Sequence, residues 1–296
     1  MTTLNYATQY SQALAQAFPF VLNFGDLYKT PNNGRYKWVN AKTIEIPIIA
    51  TKGRVDADRD SIATAKRNYS NTWEPKTLTN ERKWSTLVHP QDINQTNQVA
   101  SITNITQVYN EEQKFPEMDA YTISKIYSDW TAQSKTAVTT ALTIENVLEI
   151  FDGLMKSMDE ARVPANGRIL YATPDVNTLI RNAKEFSRIL NMKEGGSSIN
   201  RTITDIDTVK IVQVPSILMK TVYDFTDGWE PDSSAKQIHM FLVHPLAIIT
   251  PVSYQFAQLD SPSAGSEGKY VYYEESFEDV FILNKKTDAI QFVVEE

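Results

Sequence analysis

Residues 165–186 read ANGRILYATPDVNTLIRNAKEF, and within them lies a complete passage from turn to strand to helix. Asn166-Gly167 is a turn signal. RILYAT (168–173) is a short apolar run of the kind that fills a buried strand. Thr173 is then placed to cap a helix, with Pro174 at its first position and Asp175 in its first turn. Val176, Leu179, Ile180, Ala183 and Leu190 make the apolar stripe of that helix. A clearer helix precedes it. Thr143 is its expected cap, and Ile144, Val147, Leu148, Phe151, Leu154, Met155 and Met158 form one stripe that stops before Pro164. DTVKIVQVP (207–215) and IHMFLVHP (238–245) read as further strands, joined by a long loop over 216–236. Helix, strand, helix and strand in the middle, with strands at both ends, make an α+β pattern.

Working outward, FPEMDAYTISKIYSDW (115–130) is expected to be a helix. Pro116 suits its first position, and Glu117 and Asp119 suit its positive end. Ile123, Ile126, Tyr127 and Trp130 line one face, with Ser124, Lys125 and Ser128 opposite. Near the N-terminus, Ala7, Tyr10, Leu14, Ala17 and Phe18 recur at helical spacing until Pro19, a weak stripe that needs a partner surface. Pro31 and Asn33-Gly34 are turn signals. The C-terminal GKYVYYEESFEDVFILNKKTDAIQFVVEE (268–296) reads as two long strands around NKKTD.

KTIEIPII (42–49) alternates Ile44, Ile46 and Ile48 against polar residues, and Pro47 confines it to an edge. LTNERKWSTLVHP (78–90) is expected to be its partner strand, with Trp84, Thr86 and Val88 on one face. Between them the chain is aperiodic and charged. A long structureless stretch inside a compact domain points to a functional loop. A hairpin over Lys42–Val88 reaches roughly 70 Å, with RVDADRD (54–60) near its tip. Asp56, Asp58 and Asp60 match the first, third and fifth positions of a calcium loop. Ser61 then replaces the obligatory glycine and Arg67 the bidentate glutamate, so the calcium reading fails. Arg54, Arg59, Lys66 and Arg67 interleave with these acids. Mixed charge suits docking onto another protein, and Trp73, Tyr69 and Trp84 are anchor types for such contacts.

The chain of 296 residues carries 36 acids and 29 bases, a net charge of −7, so no global basic field draws nucleic acid. It has no cysteine, which removes disulfides and thiolate metal sites. No apolar run reaches the ~20 residues of a membrane span, and the N-terminus lacks a signal-peptide pattern. His89, His239 and His244 do not make a zinc set. Nucleophile-elbow, zinc-helix, phosphate-loop and dinucleotide patterns are missing. Glu274, Glu275 and Glu278 are read as a solvated face. No cofactor, metal or catalytic residue is expected.

The order of parts resembles the major capsid protein of tailed bacteriophages, the Hong Kong 97-like fold. ANGRILYATPDVNTLIRNAKEF and YYEESFEDVFILNKKTDAIQF (272–292) carry the resemblance. It implies an N-terminal arm over 1–35, an extended β-hairpin loop over 36–88, and a peripheral domain with a long spine helix over 89–142. An α/β axial domain over 143–243 and return strands over 244–296 complete it. It also implies pentamers and hexamers of the chain that close an icosahedral shell around double-stranded DNA, assembled in a bacterial host's cytoplasm. A separate scaffolding protein and a portal are implied partners. Arg54, Asp56, Asp58, Arg59, Arg67, Trp73, Tyr10 and Phe18 are the expected inter-subunit contacts. The alternatives are an encapsulin-type compartment shell, an enzyme with a nonstandard site, and a tail or adhesion protein.

Overall fold

The computed structural model describes residues 22–56, 60, 67–95, 101–183 and 205–296. The described chain begins with the short helix α1 (Gly25–Tyr28), then β1 (Lys37–Asn40), β2 (Thr43–Thr51), β3 (Tyr69–Thr77) and β4 (Glu81–Val88). Helices α2 (Pro90–Gln95), α3 (Ile102–Tyr109) and α4 (Phe115–Ala132) follow, and α5 (Val147–Glu160) leads into β5 (Ile169–Ala172) and α6 (Pro174–Asn182). Then come β6 (Asp205–Ile206), β7 (Val209–Gln213), β8 (Tyr223–Asp224), β9 (Glu230–Pro231), β10 (Ile238–Val243) and β11 (Ile248–Ile249). The chain ends with β12 (Val252–Asp260), β13 (Tyr270–Glu278), β14 (Phe281–Ile282) and β15 (Ile290–Val294).

The strand and helix read from 165–186 sit at the centre. A five-stranded sheet runs β15-β10-β5-β7-β6, with β5 and β7 parallel and the other pairs antiparallel. Side-chain alternation splits its two faces. Ile169, Tyr171, Phe241, Val243, Ile290 and Phe292 face α4, whose Ala120, Ile123, Ile126 and Trp130 are buried in the same cluster. Leu170, Ala172, Met240, Leu242 and Val293 face α5 and α6, which bury Val147, Phe151, Leu154, Met158, Val176 and Ile180. The sheet therefore draws on residues 143–243 and on the last strand of the chain. Tyr171, Phe241 and Phe292 stand directly opposite one another in register, with ring centroids 5.6 and 4.7 Å apart. Cross-strand aromatic stacks of this kind add about 0.5–1.5 kcal/mol per pair beyond burial.

Both central helices differ in detail from their sequence expectation. The α5 helix begins at Val147, not at Ile144, which is exposed. Thr143 and Asn146 instead bond each other across the preceding turn, Thr143 N–H donating to Asn146 Oδ1 at 2.7 Å and Asn146 N–H to Thr143 Oγ1 at 3.3 Å. Thr173 does precede α6, yet its hydroxyl makes no capping bond. Leu190 lies outside the described residues.

The helix expected from Pro116 is longer. It runs without a break from Ile102 through a π-turn at Asn110–Lys114 to Ala132, about 45 Å at 1.5 Å per residue. Proline has no N–H and its ring strikes the carbonyl four residues back, which breaks an α-helix. The π-turn, in which Phe115 N–H reaches Asn110 O, absorbs that defect at Pro116. Asp119 is consequently mid-helix and fully buried rather than in a first turn, and Ser124 is buried too.

The hairpin also differs. The partner of β2 is β3, paired from Thr43↔Thr77 to Thr51↔Tyr69. The expected partner, β4, pairs instead with β13, which pairs with β12. The nine residues of β2 span about 30 Å; the loop beyond, which the 70 Å expectation included, lies partly outside the described residues. β2 is the middle strand of its sheet, but β1 covers it only from Thr43 to Glu45, so at Pro47 one side of β2 has no strand beside it among the described residues. The two C-terminal strands, β13 and β15, do not pair with each other, and NKKTD forms a 3-10 turn between them.

Candidate assembly surface

The base of the β2–β3 hairpin is fixed and the rest projects. Ile44 and Ile46 are buried with Leu78, Ile249, Phe277 and Phe281. From Ile49 onward every described residue of β2 and of the loop is exposed, and so are Arg67 to Trp73 on the return. At the root, Lys76 Nζ donates to Asn284 Oδ1 at 3.0 Å and Lys285 Nζ to Ile49 O at 3.3 Å.

Of the expected contact residues, Arg54 and Asp56 lie in the exposed loop beyond β2. The Arg67 guanidinium stands 5.6 Å from the centre of the Tyr69 ring. Trp73 is opposite Pro47 and 47% exposed. Asp58, Arg59, Tyr10 and Phe18 lie outside the described residues. The structure thus places Tyr69 and Trp73 on β3, whose outer edge has no described neighbour, with Arg67 just before it.

The second exposed surface was not read from sequence. In the β12-β13-β4 sheet, Arg82, Trp84 and Glu274 face the spine helix, where Trp84 stacks on Tyr109 with centroids 3.9 Å apart. The β12 strand is an edge and nearly all of it is exposed, including Val252, Tyr254, Phe256 and Leu259. Tyr254 and Phe256 lie ring over ring at 6.3 Å and 9°. The alternation of Val252, Tyr254 and Phe256 with polar or small residues in VSYQFAQLD is the sequence signal for β12.

The carboxylates of β13 are not a solvated face. Glu274 and Glu278 are buried. Glu274 pairs with Lys114 at 3.1 Å and accepts from the Tyr272 hydroxyl at 2.9 Å. Burial pushes the Glu278 carboxyl up, with Lys114 pulling the other way. Arg82 donates through Nε to Glu117 at 2.6 Å and through Nη1 to Phe225 O at 2.7 Å. Tyr121 OH donates to Asp279 Oδ1 at 2.8 Å, and Thr79 N–H to Asp279 Oδ2 at 2.8 Å. These groups brace β4 and β13 against the spine helix. The reason is the two-residue period of β13, which puts 274 and 276 on the helix side.

The segment before β1 is fastened by a similar device. Asp119 accepts from Asn23 N–H at 2.9 Å, Asn23 Nδ2 at 2.8 Å and Phe24 N–H at 3.1 Å. Burial outweighs these three donors and raises its pKa to about 6. Asn32 Nδ2 donates to Leu246 O and Ile248 O, and Asn33 exchanges two bonds with Thr250. His244 caps the turn after β10, accepting at Nδ1 from Leu246 N–H with Nε2 3.1 Å from Asn166 O. Among the described residues no group of three or more His, Asp or Glu side chains could hold a metal. No helix among them is long and apolar enough to cross a membrane.

No family model and no curated protein matches the sequence. Solved structures do share the fold over nearly the whole chain. The asymmetric unit of the mature capsid of bacteriophage PhiM1 matches with a TM-score of 0.65 at 12% identity, covering 98% of this chain and 91% of that one. A structure from Microbacterium phage Oxtober96 matches with a TM-score of 0.65 at 12% identity, covering 98% and 96%. The capsid of an empty GTA particle matches with a TM-score of 0.61 at 11% identity, covering 98% and 95%. At these identities the likeness is one of fold: the chain has the α+β fold of phage capsid structures.

Proposed function

We propose that this chain is the major capsid protein of a tailed bacteriophage, a structural subunit that assembles with copies of itself into pentamers and hexamers of an icosahedral shell. The observation that carries the reading is the agreement of fold with phage capsids over 98% of the chain, a span that takes in the projecting hairpin and the spine helix. A hairpin with Trp73, Tyr69 and Arg67 exposed on it suits contact with a neighbour, since aromatics and arginine are the usual interface anchors. The contact set is Arg54, Asp56, Asp58, Arg59, Arg67 and Trp73 on the hairpin, with Tyr10 and Phe18 on the arm.

In this reading residues 1–35 are the arm, 36–88 the extended loop, 89–142 the peripheral domain, 143–243 the axial domain and 244–296 the return strands. The shell encloses double-stranded DNA without reading its sequence. A net charge of −7 fits containment rather than gripping by counterion release. A scaffolding protein and a portal are the further partners, the host cytoplasm is the place of assembly, and the chain performs no catalysis. The bacterial compartment shell is the less favoured reading, because the similar structures described above come from phages and a GTA particle.

Electron microscopy of the purified, overexpressed chain tests the proposal. Closed shells of uniform size are expected. A chain that forms tubes or fibres, or that stays monomeric at high concentration even with its scaffolding partner present, refutes it.

A further inference from the structure

Asn-Gly occurs twice in the chain, at Asn33-Gly34 and at Asn166-Gly167. The pair is chemically labile. Once the glycine N–H loses its proton, its nitrogen can attack the side-chain carbonyl carbon of the asparagine, and glycine has no side chain to shield the approach. The structure treats the two pairs in opposite ways.

Asn33 is locked. Its Nδ2 donates to Tyr28 O at 3.0 Å and to Thr250 Oγ1 at 2.8 Å, and its Oδ1 accepts from Thr250 N–H at 2.9 Å. A carboxamide held by these bonds cannot turn to meet the nitrogen that follows it. Asn166 and Gly167 are exposed in the turn before β5, with Gly167 at φ +88°. Among the described residues neither the Asn166 carboxamide nor the Gly167 N–H makes a hydrogen bond.

A third group acts on the peptide between them. The buried His244 accepts at Nδ1 from Leu246 N–H at 3.2 Å, and its Nε2 stands 3.1 Å from Asn166 O. A ring nitrogen that accepts carries no proton, so the proton sits on Nε2 and is donated to Asn166 O. Burial holds the imidazole pKa below its ordinary value, so this neutral form prevails at neutral pH. Asn166 O belongs to the same peptide group as the Gly167 nitrogen. A donor on that oxygen draws electron density from the nitrogen and makes its N–H more acidic.

We propose that Asn166 is a site of spontaneous covalent modification, at which the Gly167 nitrogen closes a ring on the Asn166 side chain with the assistance of His244. The Gly167 N–H gives its proton to solvent, the bond from its nitrogen to Asn166 Cγ forms, and the Cγ–Nδ2 bond breaks. Nδ2 takes up a proton and leaves as ammonia. Water then opens the cyclic imide at either carbonyl, giving aspartate or isoaspartate, and nothing is oxidised or reduced. The product adds a negative charge to the turn between α5 and β5, and as isoaspartate it also adds a methylene to the backbone. The change is one-way, so it accumulates with the age of the subunit. It is independent of the shell reading.

Trypsin cuts after Lys29, Arg35, Arg162 and Arg168 and so places each Asn-Gly on its own peptide. The purified full chain is held at neutral pH for days, digested and mapped by mass spectrometry, with a fresh sample digested alongside as background. The Asn166 peptide is expected to gain the mass of an amide-to-carboxyl exchange and to resolve into two products of equal mass. The Asn33 peptide is expected to stay unchanged. No gain at Asn166, or a gain at Asn33 as fast, overturns the proposal. His244→Asn isolates the imidazole, since its Oδ1 replaces Nδ1 as the cap for Leu246 while the Nε2 donor is lost. With circular dichroism and melting like the parent's, this variant should be modified at Asn166 about fivefold more slowly, the factor that one neutral hydrogen bond supplies. A rate equal to the parent's overturns the assistance by His244. If the variant does not fold, the contrast between Asn166 and Asn33 in the parent decides.

Discussion

Two buried side chains show what single residues do here. The guanidinium of Arg168 is fully enclosed and donates to Asp159 at 2.6 Å, Val163 O at 2.7 Å and Pro164 O at 3.0 Å, closing the end of α5. Arg168→Ala leaves those carbonyls unpaired in the interior. A loss of roughly 2–4 kcal/mol is expected, seen as a fall in Tm of about 5–10 °C. Asp119 behaves differently. Its folded pKa, about 6, lies above the ordinary aspartate value of 3.8. A raised carboxyl pKa contributes stability that is complete below the unfolded pKa and is lost as pH rises through the folded one. The wild type should therefore gain on Asp119→Asn as pH falls from 7 to 5, by about 1.3 kcal/mol. Parallel melting curves for the two proteins across that range would refute this. Neither role was legible in the sequence. Asp119 fits the start of a helix at Pro116, and its actual partners, Asn23 and Phe24, are remote in the chain. Arg168 simply precedes an apolar run.

At the scale of elements, periodicity identified what one face of burial makes periodic. The α5 stripe from Val147 to Met158, the apolar strands β5 and β10, and the strand containing Ile44 and Ile46 were all readable for that reason. β3 was missed because YSNTWEPKT is exposed on both sides for most of its length, so nothing sorts its residues. β4 was found with its inward face, Trp84, Thr86 and Val88, correctly assigned, but its partner was not. Pairing with β13 is a long-range contact that no local pattern encodes. The spine helix was cut short at Pro116, since a proline normally marks a helix start and the π-turn that tolerates it has no sequence signature. The hairpin carries the prediction that belongs here. Deleting Thr51–Trp73 removes no buried side chain among the described residues. The shortened subunit should keep its circular dichroism spectrum and melt within a few degrees of the parent, roughly the effect expected of surface changes. It should fail to close shells. Normal particles from the deletion would show that the hairpin does not hold neighbours.

For the whole molecule, the overall order of parts was legible because the central strand-to-helix passage and the flanking strands keep their sequence. What joins them was not. Three polar fastenings, at Asp119, at Asn32 with Asn33, and at Arg82, tie the first ninety residues to segments that lie far along the chain. Side-chain bonds of this kind depend on the finished fold and leave no periodic trace. Among the described residues they leave the β2–β3 hairpin projecting from the body they tie together.

That limb is held at its root by Ile44, Ile46, Lys76 and Lys285. Mechanically it is a cantilever. A tilt of about 10° at the root swings an end ~30 Å away through roughly 5 Å, while the body is left undistorted. In the proposed shell, a single amino-acid chain could thereby satisfy several inclinations between adjacent blocks, as a curved surface tiled with both five- and six-membered rosettes would demand.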